Sequence, residues 1–446
     1  MTNLYSLWVA GSNARGQLSN GTFDDSHTFA PCLFSESASI FPSTIRRILQ
    51  LTCGANHTLI LLQRSDEHGL ETYTELWGCG DGSKGQLGPT LGQVHSATEF
   101  RRIPMPLQDT YTPLGYTCRL IAAAWETTYL VLSSPNHPDV LISMGSNDFG
   151  ALGVESAKIK SAPFGPHAIA VEGLETDSSL LIKSLNAGPR HVVAEVVGVG
   201  KNGVKETFLI GWGAGRQGQL GVTLLKRAPQ DHAGPRRIPS DKSGDPIVSC
   251  SLGNQHTVIL HSSGRVSALG SNRKCQVQDI NNLSNVHSIN CTWNGTYAVV
   301  KQEDGMTLLG MGDNSRGQLG REVDGRGSSQ STLVNFPFEL KSRELLKVAC
   351  GSEHVLALFA VLSSSTSHSQ ISNDDDRERE VWAWGWNEHG NLGVGTTGNV
   401  ERPIKIWPNG GSDSSSMSAR VIDVWAGCGT SWIALSHNDN DNDSNG

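Results

Sequence analysis

Seven degenerate copies of one short segment recur along the chain, and this repetition constrains the fold more than any other feature of the sequence. The copies are Val9 to Leu18 (VAGSNARGQL), Gly78 to Gly88 (GCGDGSKGQLG), Met144 to Gly153 (MGSNDFGALG), Gly211 to Gly221 (GWGAGRQGQLG), Leu269 to Val277 (LGSNRKCQV), Met311 to Gly320 (MGDNSRGQLG) and Trp384 to Leu392 (WGWNEHGNL). Each is a hydrophobic run ending in glycine, then a polar turn, then usually Gly-Gln-Leu-Gly. A glycine held in the same place in every copy points to positive φ or to close approach of another strand.

A second motif alternates with the first: Thr52 to Leu61 (TCGANHTLIL), Ala122 to Val131 (AAAWETTYLV), Asn186 to Glu195 (NAGPRHVVAE), Ser251 to Leu260 (SLGNQHTVIL), Asn290 to Val299 (NCTWNGTYAV), Ala349 to Leu358 (ACGSEHVLAL) and Trp425 to Ala434 (WAGCGTSWIA). Between a second motif and the next first motif stand hairpin signals, Ser263-Gly264, Asp304-Gly305 and Asn202-Gly203, each flanked by short apolar runs. The local unit is therefore a strand, a tight turn, a strand and a polar loop. Such units cannot bury their faces alone and must stack on one another. The chain starts with a first motif lacking its preceding strand and finishes with a second motif lacking its following one, so the two ends complete one hairpin. A ring joined in this way removes the exposed edges of an open stack. The expectation is an all-β, seven-bladed β-propeller over residues 1–436, closed by its terminal strands and followed by an acidic tail, 437–446.

Composition agrees, since 50 glycines and 6% aromatic residues suit many tight turns and short strands. Spacing between copies is shortest from Gly270 to Gly312 and longest from Gly312 to Gly385, so loops vary while strands do not. Two insertions, 363–380 and 409–418, are rich in Ser, Asp and Asn and are expected to be mobile. Much of the formal net charge of −8 sits in Asn373 to Glu380 and in the tail, leaving a near-neutral body with no electrostatic case for direct nucleic-acid binding. The nine cysteines form no C-x-x-C and read as small buried residues of a reducing compartment. A first strand near Leu7 leaves no room for a signal peptide, and no apolar run approaches a membrane span. A cytoplasmic protein is expected, with the nucleus as a second compartment.

Gly80-x-Gly82-x-x-Gly85 and Gly213-x-Gly215-x-x-Gly218 match a dinucleotide-binding pattern, but each is one copy of the repeat and no helix is expected after it. No cofactor, metal or catalytic constellation is expected. His57, His191, His256 and His354 share one position of the second motif, where Thr127, Gly295 and Thr430 stand in other copies. They read as hydrogen-bonding struts between blade and loop rather than metal ligands. Residues that break the frame carry more functional information. Trp125 and Trp293 replace small residues after the motif's glycine position, and Glu126 follows the first. In the last copy Trp386, Glu388 and His389 put an aromatic, an acid and an imidazole into a turn. Lys274-Cys275 breaks the usual turn, and Trp432 lies near the end. If they share a rim they form a patch suited to gripping a protein, and each tryptophan could instead simply pack between blades.

Alternating G-x-N-x-x-G-Q-L-G and C/A-G-x-x-H-T copies resemble the repeats of the regulator of chromosome condensation superfamily, whose propellers serve as exchange factors, ubiquitin ligases and adaptors. Within it, the runs Val381 to Gly393, Trp425 to Leu435, Ala124 to Thr128, Gly270 to Gln276 and Gly351 to His354 are similar to the fungal alpha-tubulin suppressor, or killer-toxin-insensitivity, family. That resemblance implies a non-enzymatic propeller that forms a heterodimer with the small zinc-containing electron carrier of diphthamide biosynthesis. It also implies an indirect role with the Elongator complex in modifying wobble uridines of tRNA. Trp125, Glu126, Trp293, Trp386, Glu388 and His389 are then the expected partner-binding residues. A guanine-nucleotide exchange factor for the Ran GTPase is the competing expectation, although no basic cluster follows Met1-Thr2-Asn3-Leu4. A lyase or lactonase would need acids and histidines lining a central channel.

Overall fold

The computed structural model describes residues 4–35, 45–66, 71–91, 96–154, 159–160, 165–171, 180–199, 203–221, 231–239, 244–303, 305–322, 332–362, 377–408 and 419–437. The acidic tail beyond His437, the insertion 409–418 and most of the insertion 363–380 lie outside these residues. Arg379 and Glu380 belong to the strand Arg379–Gly385 rather than to a loop, because Arg343 grips the nearly buried Glu380 carboxylate at 2.7 Å.

The described strands form seven antiparallel sheets, six of four strands and one of three. The inner strands neighbour one another in a closed circuit, which makes the sheets the blades of a seven-bladed propeller. Blade 2 shows the pattern, with an inner strand Ile45–Cys53, a second His57–Ser65, a third Thr72–Asp81 and an outer Ser96–Ile103. Blade 1 joins the two ends of the chain. Leu4–Gly11 pairs with Thr430–His437 from Leu4 opposite His437 to Gly11 opposite Thr430, as the two incomplete hairpins of the sequence predict. Blades 2 to 7 follow in chain order.

The second strands are apolar runs buried on both faces, such as Leu59 to Leu62 and Tyr129 to Leu132, because each blade is sandwiched between two others. The core accordingly divides into seven clusters, one for each interface between adjacent blades. Trp432 is fully buried in the cluster between blades 1 and 2 and donates its indole N–H to Thr430 Oγ1 at 3.0 Å. It belongs to the core, not to a rim patch.

The repeating unit is larger than the hairpin expected from the sequence. The second motif is no single strand. It runs from the end of an inner strand through a tight turn into the second strand, as Thr52-Cys53, Gly54 to Asn56 and His57 onward do in blade 2. The first motif ends the third strand and turns toward the outer one. Both turns lie at the same end of every blade, because Gly80 pairs with His57. All fourteen motif copies thus share one face of the ring.

Within the first motif the asparagine staples its turn. Asn13, Asn147, Asn272, Asn314 and Asn387 each accept, on Oδ1, the N–H five residues ahead at 2.8 to 3.0 Å. The glutamine likewise accepts the N–H two residues behind, as Gln86 does from Lys84 at 2.8 Å. Cys275 takes φ 60° where the other copies have glycine, a left-handed conformation that Cβ disfavours.

The histidines are struts, but between blades rather than from blade to loop. Nε2 of His57, His191 and His256 lies 2.9 to 3.1 Å from Oγ1 of Thr128, Thr257 and Thr296 in the following blade, and His354 Nε2 reaches the Thr430 carbonyl at 3.2 Å. Thr128 and Thr257 donate onward to the carbonyls of Gln86 and Gln219 in the histidine's own blade. Their hydroxyls must therefore accept from the histidines, which fixes the Nε2–H tautomer. Burial pushes the imidazoles down to about 4 for His57, His256 and His354 and about 3 for His191, so all four are neutral.

Candidate protein-docking face

On the shared face the turns of the second motif ring the mouth of the central channel. A belt of backbone hydrogen bonds runs between neighbouring blades, with Ala55 donating to the Trp125 carbonyl at 2.8 Å and Trp125 to Pro189 at 3.0 Å. Asn254 donates to Trp293 at 2.9 Å, and Trp293 to Ser352 at 2.8 Å. Pro189 has no N–H, and the belt is interrupted there. This frame holds the side chains that follow the motif's glycine position in fixed places around the opening.

Trp125 of blade 3 and Trp293 of blade 6 come from nearly opposite sides of the ring, yet their rings meet at 5.6 Å and 46°. They bridge the mouth of a cavity of about 390 Å³. Trp125 is 43% exposed despite this contact, and Glu126 beside it is half-buried. The sequence singled both tryptophans out as frame-breakers, and the tertiary structure brings them together.

Trp386, Glu388 and His389 form a second cluster on the same face, farther out over blades 6, 7 and 1. The Trp386 indole N–H donates to Glu388 Oε2 at 3.0 Å, and Arg316 of blade 6 reaches the same oxygen at 3.3 Å while lying 5.4 Å from the Trp386 ring. His389 packs edge-on against Trp386 at 5.3 Å and hydrogen-bonds Asp25 of blade 1 at 2.7 Å. The Trp386 hydrogen bond, with Arg316 behind it, holds the Glu388 carboxyl below its usual range. The six expected residues therefore share one face but form two groups.

Three participants were not singled out in the sequence. Arg316 and Asp25 complete the outer cluster, and Glu353 lies beneath it, receiving hydrogen bonds from Asn294 at 2.6 Å and Gln318 at 3.0 Å. Burial pushes the Glu353 carboxyl up to about 7 in spite of those bonds. Arg316 was missed because Arg15, Lys84 and Lys274 stand at its position in other copies and make it look like scaffold. Glu353 carried a signal, being one of only two acids at its motif position beside Glu126.

The residues lining the mouth include no acid and no histidine, so the arrangement a lyase or lactonase would need is not formed by them. Burial pushes the thiols of Cys53 and Cys291 up to about 11 and that of Cys428 to about 12, which keeps them protonated and weakly nucleophilic. Among the described residues no group of three His, Cys, Asp or Glu side chains could hold a metal ion. The glycine pattern resembling a nucleotide fingerprint turns the chain, since Gly80 and Gly85 of blade 2 and Gly213 and Gly218 of blade 4 all take positive φ; against the expectation of no helix, a single helical turn, Gly88–Leu91, follows the blade 2 copy.

Comparison with known proteins agrees with this architecture. The regulator of chromosome condensation (RCC1) repeat matches residues 6–61, 209–260, 307–358 and 380–433. The chain is 27% identical over 325 residues to the ultraviolet-B receptor UVR8 of Arabidopsis thaliana, covering 70% of this chain and 63% of that protein. It is 25% identical over 429 residues to the secretion-regulating guanine nucleotide exchange factor of Mus musculus, covering 90% of this chain and 78% of that one. The propeller superposes on yeast RCC1 (Prp20), solved bound to Kap60, with a TM-score of 0.64 at 18% identity, covering 98% of this chain and 90% of that chain.

Proposed function

Since the chain is an RCC1-repeat β-propeller, we propose that it is a non-enzymatic docking platform that grips a partner protein on the face bearing both motif turns. The observation that carries this is the Trp125–Trp293 pair, with Trp125 exposed and Trp293 half-buried against it, held at the channel mouth on a hydrogen-bonded frame. Tryptophan dominates interface hot spots, and pre-ordered anchors lose little entropy on binding. Trp386, Glu388, His389 and Glu126 supply a charged surround for that anchor. The partner we infer is the small zinc-containing carrier of diphthamide biosynthesis, with a consequent role in Elongator-dependent wobble-uridine modification. What supports this finer identity is the similarity of runs such as Val381 to Gly393 to the killer-toxin-insensitivity family.

A second reading, nucleotide exchange on a small GTPase such as Ran, is favoured by the similarity to the secretion-regulating exchange factor over 90% of the chain. A tagged pull-down from the protein's own cells, with mass spectrometry and a zinc assay of the eluate, separates the two. Co-purification of a small zinc protein with diphthamide or Elongator components supports the first. Recovery of Ran without zinc, followed by accelerated nucleotide release in vitro, supports the second and removes the first. Once a partner is in hand, Trp125→Ala and Trp386→Ala should each weaken binding by about 2 kcal/mol if both clusters are in the interface. An unchanged dissociation constant for a folded variant takes that cluster out of the site.

A further inference from the structure

Glu353 lies buried beneath the outer cluster, at the position of the second motif where blade 2 has Asn56. In both places the preceding blade presents a glutamine amide to that residue. Gln17 accepts the Arg15 N–H on Oε1 at 2.9 Å, which turns its Nε2 toward Asn56 Oδ1, 3.5 Å away. Gln318 accepts the Arg316 N–H at 2.8 Å in the same way and donates to Glu353 Oε2 at 3.0 Å, while Asn294 Nδ2 donates to Glu353 Oε1 at 2.6 Å. A neutral asparagine suits such a place. A carboxylate there has only neutral donors, and among the described residues no cation forms an ion pair with it, so burial pushes the group to keep its proton up to about 7. The Asn294 side chain makes no other hydrogen bond among the described residues, so its amide can turn over to accept the carboxyl O–H, and the protonated form is satisfied as well.

The charged and titratable groups facing Glu353 are few. On the blade 6 turn Asp313 is held by Lys274 of blade 5 at 3.4 Å, and Arg316 reaches Glu388 Oε2 at 3.3 Å. Toward the core the buried Tyr297 donates its hydroxyl to the Gln318 carbonyl, and the neutral His354 is turned to Thr430. On the blade 7 turn Glu388 takes the Trp386 indole N–H on the same oxygen that Arg316 approaches, and His389 is held by Asp25. The Trp386 backbone N–H donates to the Glu353 carbonyl at 2.9 Å, which ties the cluster to the acid below it. Arg316 is the one guanidinium on these turns, and two carboxyls compete for it.

We propose that Glu353 is a proton-operated latch for the outer cluster: while its carboxyl holds a proton, Arg316 stays on Glu388 and braces Trp386, and when the proton leaves, the guanidinium is drawn from Glu388 to Glu353. The direction follows from burial. The Glu388 side chain is 67% exposed, and an exposed ion pair contributes little because water replaces the lost partner. A buried charge has no such replacement, so ionised Glu353 gains more from the guanidinium than Glu388 loses. The consequence for docking rests on the reading of this face as a protein-binding surface: a partner that grips the braced cluster binds more tightly as the pH falls through neutrality.

Nuclear magnetic resonance of the free, full-length chain with nitrogen-labelled tryptophan tests the latch, the Trp386 indole N–H resonance being identified by its loss in Trp386→Phe. That resonance should move through a transition centred near neutrality. Glu353→Gln, which keeps the shape of the side chain, should remove the transition and hold the resonance at its low-pH position. Arg316→Gln should remove it by deleting the group that moves, and because Arg316 is exposed this variant serves if Glu353→Gln misfolds. His389→Gln removes the neighbouring imidazole's own titration, and the transition should persist in it. A transition that survives Glu353→Gln or Arg316→Gln, one that vanishes with His389→Gln, or no movement between about pH 5.5 and about pH 8.5 overturns the proposal. With a partner in hand, the parent chain should bind at least about threefold more tightly at about pH 6 than at about pH 8, and Glu353→Gln equally at both. An intact indole transition with an affinity that ignores pH keeps the latch and takes the outer cluster out of the docking site.

Discussion

At the scale of single residues, the propeller is held by a dependence between a glycine and a histidine three positions later. A Cβ at Gly54, Gly253 or Gly351 would fall on the imidazole of His57, His256 or His354. Where the histidine is replaced by Thr127 or Gly295, the glycine position becomes Ala124 or Thr292, while the Thr430 copy keeps Gly427 because a Cβ there would meet Cys53 and the Thr430 hydroxyl. Gly253→Ala should therefore cost about 2–3 kcal/mol through overpacking. Adding His256→Thr should recover part of that, and a coupling energy of at least about 1 kcal/mol in a urea-denaturation double-mutant cycle would establish the dependence. The same imidazoles give the fold its acid sensitivity. Unfolded, they bind protons near 6.5, but folded only near 4 or below. Unfolding thus takes up protons in this window, and stability falls as pH drops from 6.5 toward 4. Glu353 acts oppositely, since its carboxyl rises from 4.5 to about 7 on folding and loses stability as pH rises between those values. Four imidazoles outweigh one carboxyl, and a loss of roughly 3–5 kcal/mol is expected between pH 6.5 and pH 5. Urea unfolding at the two values tests this, and His256→Thr should flatten the slope.

At the scale of the element, strands are tied to their neighbours through the threonine that receives each histidine. Thr257 accepts from His191 and donates to the Gln219 carbonyl, so two groups of one blade are satisfied by one hydroxyl of the next. Thr257→Val keeps the shape and leaves a buried N–H and a carbonyl without that partner. It should cost about 1–3 kcal/mol in denaturant unfolding, against a much smaller effect for an exposed threonine such as Thr397. The sequence contained the His-Thr pair in plain view, but a histidine's partner is the threonine of the next copy, not the one beside it. Inner and outer strands were harder to see. Ile45–Cys53 carries register shifts that blur its alternation, and outer strands such as His167–Ile169 and Thr332–Leu333 are too short for a periodic pattern. The buried second strands, with unbroken apolar runs, were legible.

At the scale of the whole molecule, stability depends on closure. Eight residue pairs join Leu4–Gly11 to Thr430–His437, and these strands contribute Leu7, Val9 and Trp432 to the core between blades 1 and 2. Deleting residues 1–11 would expose the edge of the Thr430–His437 strand and open that core. The expected result is a chain that is cleaved rapidly in limited proteolysis and self-associates on size exclusion. A monomeric, protease-resistant product would show that the remaining blades hold the ring by themselves.

What the sequence determined by itself was the number of blades, their closure and the scaffold residues, because these rest on local chemistry that recurs from copy to copy: a glycine where φ is positive in all seven, an asparagine that staples its own turn in five, an apolar run long enough for one strand. Only the tertiary structure decided which exceptions meet. Trp125 and Trp293 lie far apart in the chain and touch across the channel mouth, whereas Trp386 meets Arg316, His389 beside it meets Asp25, and Trp432 disappears into the core. The physical reason is the ring itself. It brings together residues from blades distant in the sequence, and that proximity leaves no periodic trace along the chain.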